Sequence, residues 1–178
     1  MKSCLVRVCL LLLILVACAC ASQPVAPPSE WRYEKGSIHL DLKAADQLNL
    51  YEGMPHTLLV CVYQLTDPNA FNQLSENKDG LYKLLECSRF DPTVASAKRL
   101  IVHPGQDMVV TLDRGEGAQY VGLVAGYYRL EREATVRLYK IPWFVEKKGF
   151  IRRTKTPKPD QLTIHLVLGS QGLYSVYK

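Results

Sequence analysis

Histidine is scarce and scattered in this chain. His39, His56, His103 and His165 are the four present, and they show no metal-ligand spacing, so neither a metal nor another cofactor is expected. No two carboxylates stand out as a general acid–base pair. The glycine-rich Asp113-Arg-Gly-Glu-Gly117 lacks the lysine and hydroxyl of a phosphate loop and reads as a hairpin turn. There is no internal repeat. Beyond the first 17 residues no apolar stretch is long enough to cross a bilayer as a helix. These absences argue against a metalloenzyme, a nucleotide-binding loop and a membrane-spanning chain, and no catalytic residue is assigned.

What the N-terminus does contain is an export signal. Lys2 and Arg7 precede the apolar run Val8 to Val16, which has the length of a signal-peptide core. Leu15-Val16-Ala17-Cys18 then matches the bacterial lipobox, in which the cysteine thiol is acylated and the chain is cut just before it. Only a thiol can carry the thioether-linked diacylglyceryl group, so Cys18 is the expected lipidation site. The alternative is a plain secretory signal cut after Ala19 or Ala21. Residues 1–17 are thus read as signal peptide, 18–35 as lipidated cysteine and tether, and 36–178 as one folded domain.

The signal carries two of the five net positive charges, which leaves about +3 for the mature chain. That bias is weak, and an exported protein does not meet nucleic acid. Pro24, Pro27 and Pro28 lie among small and polar residues in Ala19 to Tyr33, which reads as an extended tether. At roughly 3 Å per residue it would reach some 40–50 Å.

Ser37 to Lys43 alternates, with Ile38, Leu40 and Leu42 on one face, and reads as a half-buried strand. Thr57 to Leu65 is apolar almost throughout, so both its faces should be covered. Asp67-Pro68 starts a helical insertion over 66–87, with Phe71 and Leu74, then Leu81, Leu84 and Leu85, at helical spacing. Strands are expected again at Leu100–Val102, Met108–Leu112, Tyr120–Tyr128, Ala134–Ile141, Leu162–Leu168 and Tyr174–Tyr177. Seven or eight short strands plus one helical insertion give a mainly β chain, a β-sandwich.

Three features are candidates for function. Ala44 to Pro55 joins the first two strands and carries Leu48, Leu50 and Tyr51 among polar residues, the pattern of a contact loop with exposed apolar groups. Lys147 to Lys158 holds Lys147, Lys148, Arg152, Arg153, Lys155 and Lys158 with no acid among them. It suits anionic lipid or an acidic partner, or else is a solvated hairpin. Cys20, Cys61 and Cys87 remain beside Cys18 in an oxidising compartment. Strand alternation puts Cys61 on the face opposite Leu58, Val60 and Val62, and Cys87 ends the second helix, so the two are a candidate disulfide if the Cys61 face is the one that meets the helices. The rival reading is two separate buried thiols.

Asn49-x3-Gly53-x-Pro55, followed by Val60-Cys-Val-Tyr-Gln-Leu65, resembles the TssJ lipoproteins of bacterial type VI secretion systems. Phe71, His103-Pro-Gly-Gln106, Tyr120-Val-Gly-Leu-Val-Ala125 and a following Tyr-Tyr-Arg-Leu segment extend the resemblance in order from about Gly36 to Leu168. It implies a non-enzymatic, transthyretin-like β-sandwich with an added helical segment. It implies an outer-membrane lipoprotein, anchored by acyl chains and facing the periplasm, that binds the periplasmic domain of TssM. In that family the loop between the first two strands contributes to the contact, which here is Asp46, Gln47, Leu48, Asn49, Leu50, Tyr51, Glu52 and Gly53. No small-molecule substrate is expected. The two cysteines and the basic stretch depart from the family pattern. A second reading from a different class is a freestanding periplasm-facing lipoprotein that binds a small ligand or inhibits an enzyme.

Overall fold

The computed structural model describes residues 25–149 and 154–175. The signal peptide, Cys18 and Cys20 lie outside the described residues, as do Arg152 and Arg153. Ten strands and three short helices follow in chain order: β1 (Glu34–Ala44), β2 (Leu58–Leu65), α1 (Asn69–Ser75), α2 (Lys78–Leu84), β3 (Val94–Val102), β4 (Asp107–Arg114), β5 (Tyr120–Ala125), α3 (Arg132–Thr135), β6 (Val136–Lys140), β7 (Trp143–Lys148), β8 (Thr154–Pro159), β9 (Leu162–Leu168) and β10 (Leu173–Ser175).

Eight of the strands make two four-stranded sheets, ordered β10-β9-β1-β4 and β3-β2-β5-β6, while β7 and β8 pair with each other alone. The sandwich thus has the strand number that the sequence predicts, and the hairpin adds two. In the first sheet β1 runs parallel to β9 and antiparallel to β4. Period-two alternation decides which face is inside. Ile38, Leu40 and Leu42 of β1 and Leu162, Ile164, Leu166 and Leu168 of β9 are buried in the main core. His39, Asp41 and Thr163 point the other way, to solvent or its margin.

The second sheet is covered on both faces, which is why β2 is apolar but for Gln64. Leu58, Val60 and Val62 join the main core. Cys61, Tyr63 and Leu65 face a second cluster built with Phe71, Leu81 and Leu84 of the helical insertion. Phe71 packs against Gly122 of β5, where a Cβ would come within 2.7 Å of the ring, so only glycine allows this seat. The Tyr63 hydroxyl donates to the Leu84 carbonyl, and burial pushes its pKa up to about 12. α2 starts at Asn77, whose side chain accepts from the Gly80 N–H at 2.9 Å. Cys61 and Cys87 are disulfide-bonded, with Cα atoms 5.1 Å apart, and this pins the end of the insertion to β2. In the chain-entropy picture a loop of this length is worth about 3 kcal/mol.

The tether ends earlier than position 35. Trp31 is buried in the main core, and its indole N–H donates to the Pro28 carbonyl. The buried Arg114 guanidinium lies over the Trp31 ring, donates to the Arg32 carbonyl and pairs with Glu34 at 2.8 Å. A large aromatic side chain in a proline-marked stretch is drawn inward because burying it outweighs ordering its backbone. Ala134 and Thr135 belong to a helical turn, and the expected strand begins only at Val136.

Register fixes which features share an end. Glu34 lies opposite Arg114, and Ile38 opposite Leu162, so the chain enters where β4 ends and β9 begins. Ala44 lies opposite Leu168 at the far end of β1. The eleven residues of β1 span about 35 Å. The tether and the loop after β1 therefore occupy opposite ends of the sandwich.

Candidate functional site

The loop after β1 is organised by one buried polar residue. Asn49 is only 4% exposed and adopts φ 46°, a left-handed conformation that asparagine tolerates. Its side-chain amide donates to the Thr57 carbonyl at 3.3 Å and its carbonyl oxygen accepts from the Tyr128 N–H at 3.0 Å. Its own N–H donates to the Gly169 carbonyl. Asn49 therefore joins its own loop, the segment after β5 and the β9–β10 turn. Leu48 beside it is fully buried in the main core.

At the tip, Tyr51 and Met54 exchange two backbone hydrogen bonds of 2.9 Å across Glu52-Gly53. Glu52 has φ 49° and Gly53 φ 77°, the two positive values of a type I′ turn. This small hairpin holds Tyr51 and Met54 outward, at 44% and 61% exposure. The Tyr51 ring stacks on Tyr128 with centroids 4.0 Å apart, and His56 meets Tyr128 edge-on at 5.2 Å. His56 Nδ1 lies 2.9 Å from the Met54 carbonyl, which can only accept, so Nδ1 carries the proton. Tyr82 of α2, also exposed, completes an open cleft of about 460 Å³ walled by Asn49, Tyr51, Tyr82, Tyr128, Glu131 and Gln171. Arg129 and Glu131 pair on its rim at 2.6 Å. Under it, the buried Tyr127 hydroxyl donates to the Gly172 carbonyl, and desolvation raises its pKa. Exposed aromatic groups inside a charged rim have the make-up of a protein interface.

The residues predicted for partner contact divide accordingly. Asp46, Gln47, Tyr51, Glu52 and Gly53 are exposed, and Leu50 is half-buried. Leu48 and Asn49 are corrections: both face inward, because the loop folds back over the sandwich edge and its first apolar side chain completes the core. Met54, Tyr82 and Tyr128 belong to the surface and are not singled out by the sequence. Tyr128 lies three residues beyond the end of β5, in a stretch that reads from the sequence as part of that strand.

Elsewhere, His165 Nδ1 lies 3.0 Å from Asp41 on the outer face of the first sheet. Neither side chain bonds a serine, threonine or cysteine among the described residues, so the pair lacks a nucleophile and reads as a cross-strand contact. Among the described residues no group of three or more His, Cys, Asp or Glu could hold a metal ion, and no helix is long and apolar enough to cross a membrane.

The molecule is a two-sheet β-sandwich whose connecting loops gather into an aromatic surface at the end away from its tether. The chain belongs to the type VI secretion lipoprotein family (VasD, EvfM, TssJ), whose model matches residues 36–166. The fold is that of Serratia marcescens Lip, a membrane-bound component of the type VI secretion system, with a TM-score of 0.59 at 20% identity over 79% of this chain and 97% of that one. It is similar also to the lipoprotein TssJ1 from Pseudomonas aeruginosa, with a TM-score of 0.56 at 20% identity over 85% and 99%. A chain in the structure of the TssM C-terminal domain from EAEC matches with a TM-score of 0.53 at 18% identity over 79% and 98%. At such identities the likeness is one of fold. No curated protein is significantly similar to the chain.

Proposed function

We propose that this protein is a non-enzymatic outer-membrane lipoprotein, acylated at Cys18 and facing the periplasm, that anchors a type VI secretion membrane complex by binding the periplasmic C-terminal part of TssM. The observation that carries the reading is the placement of the aromatic loop surface at the end opposite the tether. A chain held by its N-terminus presents that end away from the membrane, where a periplasmic partner meets it. The solved neighbour containing the TssM C-terminal domain supports the choice of partner.

Tyr51 and Tyr128 are the expected anchors, since a few central aromatic residues carry most of an interface. Point substitutions are the proper test, because deleting the loop would remove Leu48 and Asn49 from the fold. Tyr51→Ser with Tyr128→Ser should weaken binding to the TssM periplasmic domain by about 2 kcal/mol or more, roughly 30-fold, with the melting temperature nearly unchanged. Full affinity in the double variant would move the interface elsewhere on the domain, and failure of the unmodified protein to bind the TssM periplasmic domain would favour the ligand-binding alternative. In cells, Cys18→Ser should abolish metabolic palmitate labelling; label that persists points to Cys20.

A further inference from the structure

β7 and β8 belong to neither sheet. Their root is nevertheless fixed. Ile141 is buried, its N–H donates to the Gln119 carbonyl, and the Asp160 N–H donates to the Pro142 carbonyl, both at 2.8 Å. Trp143 packs against the main core. Lys140 lies opposite Tyr120 at the start of β5, and Leu162 opposite Ile38, so the root sits at the tether end.

Out from that root the strands carry charge. Lys148 and Lys158 share Glu146 at 3.3 and 2.9 Å. Lys147 and Lys155 lie directly opposite each other, exposed, and neither bonds a carboxylate among the described residues. Like charges facing across a two-stranded pair destabilise it unless an external anion intervenes. The acidic groups around the tether are engaged elsewhere: Glu30 with Arg32, Glu34 with Arg114, Asp113 with Tyr33 and Gly36, and Glu116 with the Tyr33 N–H.

The available anion is set by distance. Lys148 is five residues beyond Trp143, a reach of about 17 Å. Ten residues separate Cys18 from the buried Pro28, at most about 36 Å of fully extended chain. An arm of that reach, rooted at the end where so short a tether enters, is confined close to the membrane.

We propose that the β7–β8 hairpin is a lysine arm that rests on anionic phospholipid headgroups of the membrane holding the chain, and so orients the sandwich with its loop end outward. This rests on the anchored-lipoprotein reading. Each lysine brought to an anionic surface contributes roughly a five-fold bias.

The test uses the lipidated full-length protein reconstituted into vesicles of phosphatidylcholine alone or with phosphatidylglycerol, read by flotation and by amide hydrogen exchange. Flotation should be equal in both. Exchange in Trp143–Lys148 and Thr154–Pro159 should slow by about ten-fold only with phosphatidylglycerol. The effect should vanish at high salt and in Lys147→Glu with Lys155→Glu, which keeps the like-charge pairing, and should survive Lys147→Arg with Lys155→Arg. Protein that floats with neither vesicle overturns the anchor and the arm together. Protein that floats while its hairpin exchanges equally in both, or slows only on adding the TssM periplasmic domain, overturns the arm alone.

Discussion

At the tether end, residues 28–36 are fastened by two neighbouring side chains of β4, the buried Arg114 and the exposed Asp113. Arg114 grips Glu34 and the Arg32 carbonyl, and Asp113 accepts from the Tyr33 hydroxyl and the Gly36 N–H. At the loop end the fastening is internal: Asn49 bonds three segments from a buried position and Leu48 plugs the core, so Tyr51, Met54 and Tyr128 are left out of the structural work. An end secured from within can vary or commit its outer side chains to a partner without loosening the fold. Where exposed groups take part in the fastening, as Tyr33, Asp113 and Glu34 do, changing them loosens the contact.

The sharpest way to break this contrast is Trp31→Ala. Removing a buried indole should lower stability by about 3–5 kcal/mol in urea denaturation, while TssM binding to the folded fraction is unchanged. A loss under about 1 kcal/mol would return residues 28–33 to the tether.

The disulfide comes next. It holds the helical insertion, and through Tyr82 and Lys78 one wall of the cleft. Reduction should lower stability by about 3 kcal/mol and weaken partner binding without altering the tether end. Non-reducing mass spectrometry checks the bridge first, since two free thiols at Cys61 and Cys87 would refute it.

Asn49→Ala should lower stability by about 2 kcal/mol, from two lost side-chain bonds and the positive φ. Unlike Trp31→Ala, it should also weaken partner binding. Asn49→Gly, which accepts the backbone, should recover part of the stability; if it recovers binding in full, the side-chain bonds do not position the surface.

The smallest effect tests the Asp113 fastening. The Tyr33 hydroxyl, then the Gly36 N–H, hold the Asp113 carboxyl below its ordinary 3.8. A carboxylate depressed in the folded state stabilises above its unfolded pKa, and that contribution fades as pH falls through the lower folded value. Tyr33→Phe should raise the Asp113 midpoint towards 3.8, as read by NMR titration, with no shift in the loop-end resonances.

Elements governed by local periodicity were readable before the structure. Ile38-x-Leu40-x-Leu42 and the four leucine and isoleucine positions of β9 announce their inward faces, and the two-sided apolarity of β2 announces the helices that cover it. Gln64 interrupts that apolarity and belongs with the unreadable residues, because its amide donates to the Asp113 carbonyl and accepts from the Gly115 N–H, about fifty residues away. Residues whose role depends on distant partners were not readable. Asn49 looks like any loop asparagine until Tyr128 and Gly169 are beside it, and Leu48 looks like a contact residue until the loop folds back. Trp31 was hidden by the prolines around it. β7 and β8 show no apolar alternation, because their pairing is made by backbone bonds beneath exposed lysines and threonines.

One consequence of the topology is mechanical. β1 begins beside the tether and ends at the loop proposed to meet the partner, so on that proposal tension between the membrane and a bound complex would run along its axis. It is hydrogen-bonded on both sides, antiparallel to β4 and parallel to β9 over Ile38 to Ala44. Those bonds lie across the strands rather than along them, so a pull on β1 shears both ladders at once instead of opening one rung after another. The strand that runs from the tether end to the loop end is thereby the one best braced against being drawn out.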